Sequence, residues 1–328
     1  MNSLLKEIEE KVLNEIPLGS QEVSSLTSLD GSDLFELFAL ANRLRERYHG
    51  NEIRLCSIIN AKSGLCPEDC AFCAQSLHSR TDIDTYPLVE AREIMTAAQE
   101  AQGNGAVEFS IVTSGYGIKD EKEMSNICRA LRELKEGASL ERCASLGVLD
   151  RAALRRLKEA GLQRFHHNLE TARSFFSKIC TTHEYEEDIE TVRVAKKVGL
   201  KVCCGGIFGL GESWEQRIEL ALTLRELGVD SVPLNFLNPI KGTKLESANN
   251  LTPRECLEII ALYRLLLPEK DVLVCGGREV NLRDLQSLMF FAGANGTMTG
   301  NYLTTPGRSP REDRQLIEDL GLRIKKII

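Results

Sequence analysis

Ile53-Arg54-Leu55-Cys56-Ser57-Ile58-Ile59-Asn60 is a short, β-branched run that leads within a few residues into Cys66-Pro67-Glu68-Asp69-Cys70-Ala71-Phe72-Cys73. The first stretch reads as a strand and the second as the loop that follows it. The same alternation then recurs along the chain. Apolar or β-branched runs at 107–113, 140–146, 163–169, 201–207, 229–237, 272–275 and 293–297 are separated by amphipathic helical segments, the rhythm of repeated βα units with a parallel sheet. Eight such units match an α/β fold of the (β/α)8 TIM barrel type, whose reactive groups gather at the C-terminal ends of the strands. An open doubly wound sheet is the alternative. However, no Gly-x-Gly-x-x-Gly turn follows the first strand, and Gly205-Gly206-Ile207-Phe208-Gly209-Leu210-Gly211 comes too late to act as one.

Outward from this repeat, residues 1–50 read as an N-terminal helical cap. Leu4, Ile8, Val12, Leu13 and Ile16 lie near one face of a first helix, and a second helical pattern runs over 32–48. The barrel is expected over 51–310 and a C-terminal helix over 311–328. At 328 residues, 42% hydrophobic and 27% charged, the chain can build a full enzyme core. A net charge of −7 leaves no basic surplus for a row of phosphates, which argues against a general nucleic-acid binder. Residues 1–18 carry charges at helical spacing and lack a signal-peptide core. No apolar stretch approaches the ~20 residues of a membrane span, so a cytoplasmic location is expected. In that reducing compartment the 11 cysteines point to metal ligation or catalysis and away from a disulfide framework.

Three thiolates within the eight residues Cys66 to Cys73 can converge on one metal centre. Thiolates select zinc or iron–sulfur clusters over hard cations. Structural zinc wants four ligands, and no fourth Cys or His lies nearby in sequence. Three ligands suit a 4Fe-4S cluster whose fourth iron is left open, and the Cys-x3-Cys-x2-Cys spacing resembles the radical S-adenosylmethionine signature. That resemblance implies S-adenosylmethionine chelated at the open iron and cleaved to a 5′-deoxyadenosyl radical.

The flanking sequence resembles the biotin synthase family. The likeness is carried in order by Lys62, Gln75-Ser76, His167-Asn168-Leu169-Glu170-Thr171, Gly205 to Glu212, Ser231-Val232-Pro233-Leu234-Asn235, Lys241-Gly242-Thr243, Gly277-Arg278-Glu279, Ala292-Gly293-Ala294-Asn295 and Leu303-Thr304-Thr305-Pro306. By that resemblance Cys66, Cys70 and Cys73 hold the 4Fe-4S cluster, Phe72 and Ile207 lie against the adenine, and Glu170 binds the ribose. Asn168, on the cofactor side as well, and Asn235 meet the ureido ring of dethiobiotin. Lys62, Thr304 and Thr305 face its carboxylate. Taken singly, Thr304-Thr305-Pro306 also reads as a turn, Asn168 as a strand-end cap and the glycine run as a tight crossing.

The family's second cluster is a 2Fe-2S group held by three cysteines and an arginine, and here the sequence departs from it. Cys143 and Cys203 stand at two of those positions, but Ser110 replaces a cysteine and Leu273 replaces the arginine. Cys275 is gained two residues later, on the same side of its strand as Leu273. The expectation is an auxiliary cluster on Cys143, Cys203 and Cys275, four-iron with an additional sulfide, with 2Fe-2S as the alternative. Cys56, Cys128, Cys180 and Cys256 read as buried free thiols and Cys204 as packed against a helix. Asp188 stands where relatives carry an arginine toward the cofactor carboxylate, and His166 where they carry an asparagine. The implied activity is sulfur transfer into dethiobiotin to give biotin. A flavodoxin or ferredoxin donor, iron–sulfur assembly proteins and a homodimer are the implied partners. The alternatives are another radical enzyme, such as a methylornithine synthase or hydrogenase-maturation protein, and a non-catalytic iron–sulfur or zinc redox sensor.

Overall fold

The computed structural model describes residues 2–326. Nine parallel strands form the barrel wall: β1 (Glu52–Lys62), β2 (Glu108–Thr113), β3 (Glu141–Ser145), β4 (Arg164–His166), β5 (Lys201–Cys203), β6 (Gly206–Phe208), β7 (Ser231–Phe236), β8 (Asp271–Val274) and β9 (Gly296–Met298). β9 pairs back onto β1 through Arg54 with Gly296, Leu55 with Thr297 and Cys56 with Met298, which closes the sheet. The fifth stave, continuous in the sequence reading, is split. β5 pairs with β4 and touches β7 at Ser231, and β6 continues along β7. Glycine is required at the break, because a Cβ on Gly205 would lie 2.1 Å from the Pro233 carbonyl oxygen and one on Gly206 2.5 Å from that of Glu170.

Period-two alternation divides each strand between two environments. Phe109, Ile111, Phe165, Val202, Val232, Leu234, Val272 and Val274 point outward into the core between sheet and helices. Cys56, Ile58, Glu108, Ser110 and Val112 point into the lumen. The helix Pro253–Leu266 is buried along its whole length from Cys256 onward. It lies between β8 and the N-terminal helices, which accounts for its lack of a polar face.

Three N-terminal helices, α1 (Ser3–Leu13), α2 (Ser20–Leu26) and α3 (Gly31–His49), replace the two expected. α1 buries Leu5, Ile8 and Val12, whereas Ile16 lies beyond its end and is exposed. α3 packs on Pro253–Leu266 and α2 on the helix Trp214–Leu227. Where a helix over 311–328 is expected, the helix runs Pro310–Asp319 and the left-handed Gly321 turns the chain. A further strand, β10 (Arg323–Ile324), then pairs with Glu52 and Ile53; residues 327 and 328 lie outside the described residues. No helix among the described residues is long and apolar enough to cross a membrane.

The N-terminal end of the lumen is floored by charge. Arg54 donates to Glu108 at 3.0 Å and to Glu141 at 2.7 Å, and Arg164 donates to Glu141 at 3.1 Å. Burial pushes the Glu141 carboxyl up, but Arg164 and Arg54 outweigh it and hold the group down at about 2. A depressed carboxyl contributes stability that is present above its unfolded value of 4.5 and is lost as pH falls toward 2. Glu141→Gln is therefore expected to cost on the order of 3 kcal/mol at pH 7 in urea unfolding of the apoprotein. That penalty should shrink as pH falls below about 4.5; a penalty independent of pH would remove the ion pairs as its cause.

Candidate cluster and cofactor site

A single cavity of about 440 Å³ runs from the C-terminal rim of the barrel down into the lumen. Cys66, Cys70, Phe72 and Cys73 wall its upper part, and Cys56, Glu108, Cys203, Leu273 and Cys275 its lower part.

The loop after β1 is built to present three sulfurs. Leu65, immediately before Cys66, takes a left-handed backbone with φ 54°, a conformation that costs free energy in a residue with a side chain and concentrates at functional sites. Cys66 N–H donates to the Gln75 carbonyl at 3.0 Å, Leu77 N–H to the Cys66 carbonyl at 2.8 Å, and Ala71 N–H to the Ile179 carbonyl at 2.8 Å. The Asp69 carboxylate accepts from the Thr181 N–H and hydroxyl, both at 2.8 Å, and so pins the loop to the segment after β4. Three soft ligands on one wall fit an iron–sulfur cluster better than a closed four-ligand zinc site. Burial raises the Cys66 thiol and pushes Cys73 up to about 11, so loading the site releases protons.

Beside this loop lies a polar knot that the sequence did not announce. His183 Nδ1 is 2.6 Å from Glu68 and 3.3 Å from the Cys180 sulfur, and its Nε2 is 3.3 Å from Asp188. Asp188 also accepts from His167 Nε2 at 2.8 Å. The ligand atoms of Glu68, Cys180 and His183 lie within 4.8 Å of one another. Against the pull of burial, Asp188, Cys180 and Glu68 push His183 up to about 11, which makes it an imidazolium on the cavity wall. Asp188 thus holds a cationic histidine against the cavity. His166 lies on the same wall, and burial pushes its ring down to about 4.

Phe72 and Ile207 form an apolar wall with Ala71, Leu210 and Leu237. Glu170 sits close by with φ 61°, and its carbonyl accepts from Ile207 N–H at 2.7 Å. Desolvation, with Asp188 nearby, pushes its carboxyl up to about 8. Asn168 Oδ1 accepts from Gly205 N–H at 3.1 Å, and its Nδ2 lies 3.4 Å from Glu170. Asn235 Oδ1 accepts from Gly276 N–H at 2.9 Å, and its Nδ2 donates to the Gly206 carbonyl at 3.2 Å. Each amide keeps one N–H and one lone pair for a ligand. Thr304 and Thr305 line the mouth on a loop tied down by the Asn60 side chain, which donates to the Leu303 carbonyl at 3.0 Å.

One expected position is not brought to the cavity. Lys62 donates to Glu123 at 2.6 Å and does not wall the cavity. The inward alternation along β1 would aim it at the lumen, but a register shift between Asn60 and Lys62 turns it away. Cys143 is buried on the lumen face of β3, which it shares with Ser145, and its thiol donates to Glu108 Oε1 at 3.1 Å. Cys203 and Cys275 face the lumen, as do Ser110 and Leu273. Cys56 was expected to be an inert buried thiol, yet it lines the same lower wall. Its signal was the spacing of 54, 56, 58 and 60 on one face of the first strand.

Residues 61–224 match the Radical SAM superfamily, and residues 233–323 match the Biotin and Thiamin Synthesis associated domain. The biotin synthase of Geobacter sulfurreducens is 58% identical over 316 residues, covering 96% of each chain. That of Geotalea uraniireducens is 55% identical over 322 residues, covering 98% of each. The chain belongs to the biotin synthase family. Among solved structures, methylornithine synthase superposes with a TM-score of 0.85 at 22% identity over 97% of both chains. The FeFe-hydrogenase maturase HydG from Carboxydothermus hydrogenoformans superposes with a TM-score of 0.82 at 16% identity, over 97% of this chain and 78% of its own. At these identities the two share the barrel, and they do not decide between activities. Membership in the biotin synthase family makes the chain a radical S-adenosylmethionine enzyme that uses a 4Fe-4S cluster.

If Glu170 holds the ribose of S-adenosylmethionine, Glu170→Ala should weaken cofactor binding by up to about tenfold, the upper end of what losing one neutral hydrogen bond costs. Calorimetric titration of the cluster-loaded protein checks this. Unchanged affinity with unchanged cluster absorbance would take Glu170 out of the cofactor site.

Proposed function

We propose that the protein converts dethiobiotin to biotin by radical sulfur insertion, with sulfur drawn from an auxiliary iron–sulfur cluster in the lower cavity. The observation that carries this reading is the vertical order of one cavity: three loop thiols above, two half-used amides between, and thiols again below. When bound, the upper cluster with S-adenosylmethionine supplies a 5′-deoxyadenosyl radical, and the auxiliary cluster supplies sulfur. The chain's own residues bind, orient and seclude. A ureido ring has two N–H donors and one carbonyl acceptor, which the free N–H and lone pair of Asn168 and of Asn235 can satisfy. Their anchoring to the backbone at Gly205, Gly206 and Gly276 fixes the direction in which they point. The apolar wall of Phe72 and Ile207 would keep water from a reactive carbon. No acid–base pair is assigned, because hydrogen atoms move in this chemistry, not protons.

For the carboxylate end, Thr304 and Thr305 are in place and Lys62 would need to leave Glu123. The auxiliary cluster is read as four-iron with an additional sulfide, since Ser110 and Leu273 supply neither the thiolate nor the guanidinium of a 2Fe-2S site. Electrons from a flavodoxin or ferredoxin, rebuilding by iron–sulfur assembly proteins, a homodimer and a cytoplasmic setting complete the proposal. Anaerobic turnover of the cluster-reconstituted, dithionite-reduced protein with S-adenosylmethionine and dethiobiotin tests it. Biotin with about two 5′-deoxyadenosine per product is expected, one for each C–H bond broken. 5′-Deoxyadenosine without biotin would mean another substrate, and neither product from protein with intact clusters would favour a sensing role.

A further inference from the structure

We infer that Cys56 is a thiolate ligand of the auxiliary cluster, together with Cys203 and Cys275; this rests on the presence of that cluster, proposed above. Cys56 lies on β1 with its side chain on the cavity wall. It pairs with Met298 of β9, and Cys275 continues β8 one residue past the pairing of Val274 with Thr297. Cys56 and Cys275 therefore occupy one row of the barrel, separated by a single strand. Cys56, Leu273, Cys275 and Met298 accordingly pack as one cluster. Cys203 faces the same space from β5, so the three thiols approach the lumen from separated parts of the wall.

The hydrogen bonds distinguish Cys56 from Cys143. The Cys143 thiol is engaged by Glu108 Oε1 at 3.1 Å, whereas Cys56 reaches the same oxygen only at 3.8 Å and the Ser57 carbonyl at 3.9 Å. Cys56 is thus loosely held and open to a ligand. A second feature of the same space points to an occupant: Ser110 Oγ, on the wall and 5% exposed, has no hydrogen-bond partner. Three thiolates also suit the chemistry. They leave one iron of a four-iron cluster without a protein ligand, free to carry the sulfide that is given up. Two thiolates, Cys203 and Cys275 alone, would leave half the irons unsupported.

The test counts auxiliary iron in the full chain with Cys66→Ala, Cys70→Ala and Cys73→Ala, reconstituted anaerobically, using iron and sulfide analysis and Mössbauer spectra. This parent should hold about four irons, and Cys128→Ala, at a buried thiol on the helix Glu121–Gly137, should not change that. Adding Cys56→Ala is expected to remove most of the auxiliary iron while the apoprotein melts as the parent does. Cys56→Ser should keep iron but shift its spectrum, a change that a mere packing role would not produce. Full iron and an unchanged spectrum in both Cys56 variants overturn the inference, as does loss of iron on Cys143→Ala alone. A parent without auxiliary iron overturns the auxiliary-cluster proposal itself, and the role of Cys56 with it.

Discussion

Where β9 pairs with β1, through Arg54 with Gly296 and Cys56 with Met298, the sheet loses its free edges and every strand acquires a fixed inner face. A closed parallel barrel of this size is normally filled by layers of its own branched side chains. Here the lower layer is given to charge, and the layer above it is left partly open and lined by thiols. Closure is what turns cysteines on β1 and β5 and just beyond β8, more than 200 residues apart at the extremes, into neighbours in one space. The rest of the site depends on it. The loop cysteines stand over the rim because their loop leaves the C-terminal end of β1, and the amides of Asn168 and Asn235 point inward because the fifth stave breaks to accept them.

Placing so many polar groups inside a barrel is costly unless each has a partner. The floor meets that condition by pairing Arg54 and Arg164 with Glu108 and Glu141. The rim meets it by tying His167, Asp188, His183 and Glu68 into one chain of imidazole–carboxylate contacts. Between them, the groups left without firm partners are those expected to touch a ligand: the thiols of Cys56, Cys203 and Cys275, the hydroxyl of Ser110, and the spare halves of two amides. Backbone strain is distributed in the same way. Leu65 and Glu170, two of the four non-glycine residues with positive φ among the described residues, flank the cluster loop and the cofactor wall.

Much of this was legible in the residues. Eight βα units follow from the spacing of β-branched runs, and the loop cysteines from their own spacing, because both are local patterns. The split of the fifth stave was half-visible in Gly205-Gly206, whose close approach to Pro233 and Glu170 is a tertiary fact. Lys62 was misplaced because a bulge resets the alternation that sequence spacing assumes. His183 and Cys180 were missed because they reach the site from a loop whose position is fixed only by Asp69 and Thr181. Cys56 was passed over for a different reason: period two along β1 gives its face, but its neighbours on β5 and just past β8 come near only through barrel closure. Ser110, Leu273 and Cys275 were read as sharing one inner face, and all three line the cavity because period two holds along their strands.

The central claim is that two iron–sulfur groups share one cavity, one at the rim and one in the lower lumen. Iron-edge anomalous diffraction from anaerobically reconstituted crystals measures this most directly. The expected map has two separate iron peaks on one barrel axis, the upper against Cys66, Cys70 and Cys73 and the lower against Cys56, Cys203 and Cys275. A single peak at the rim, or a second one outside the lumen, would contradict it.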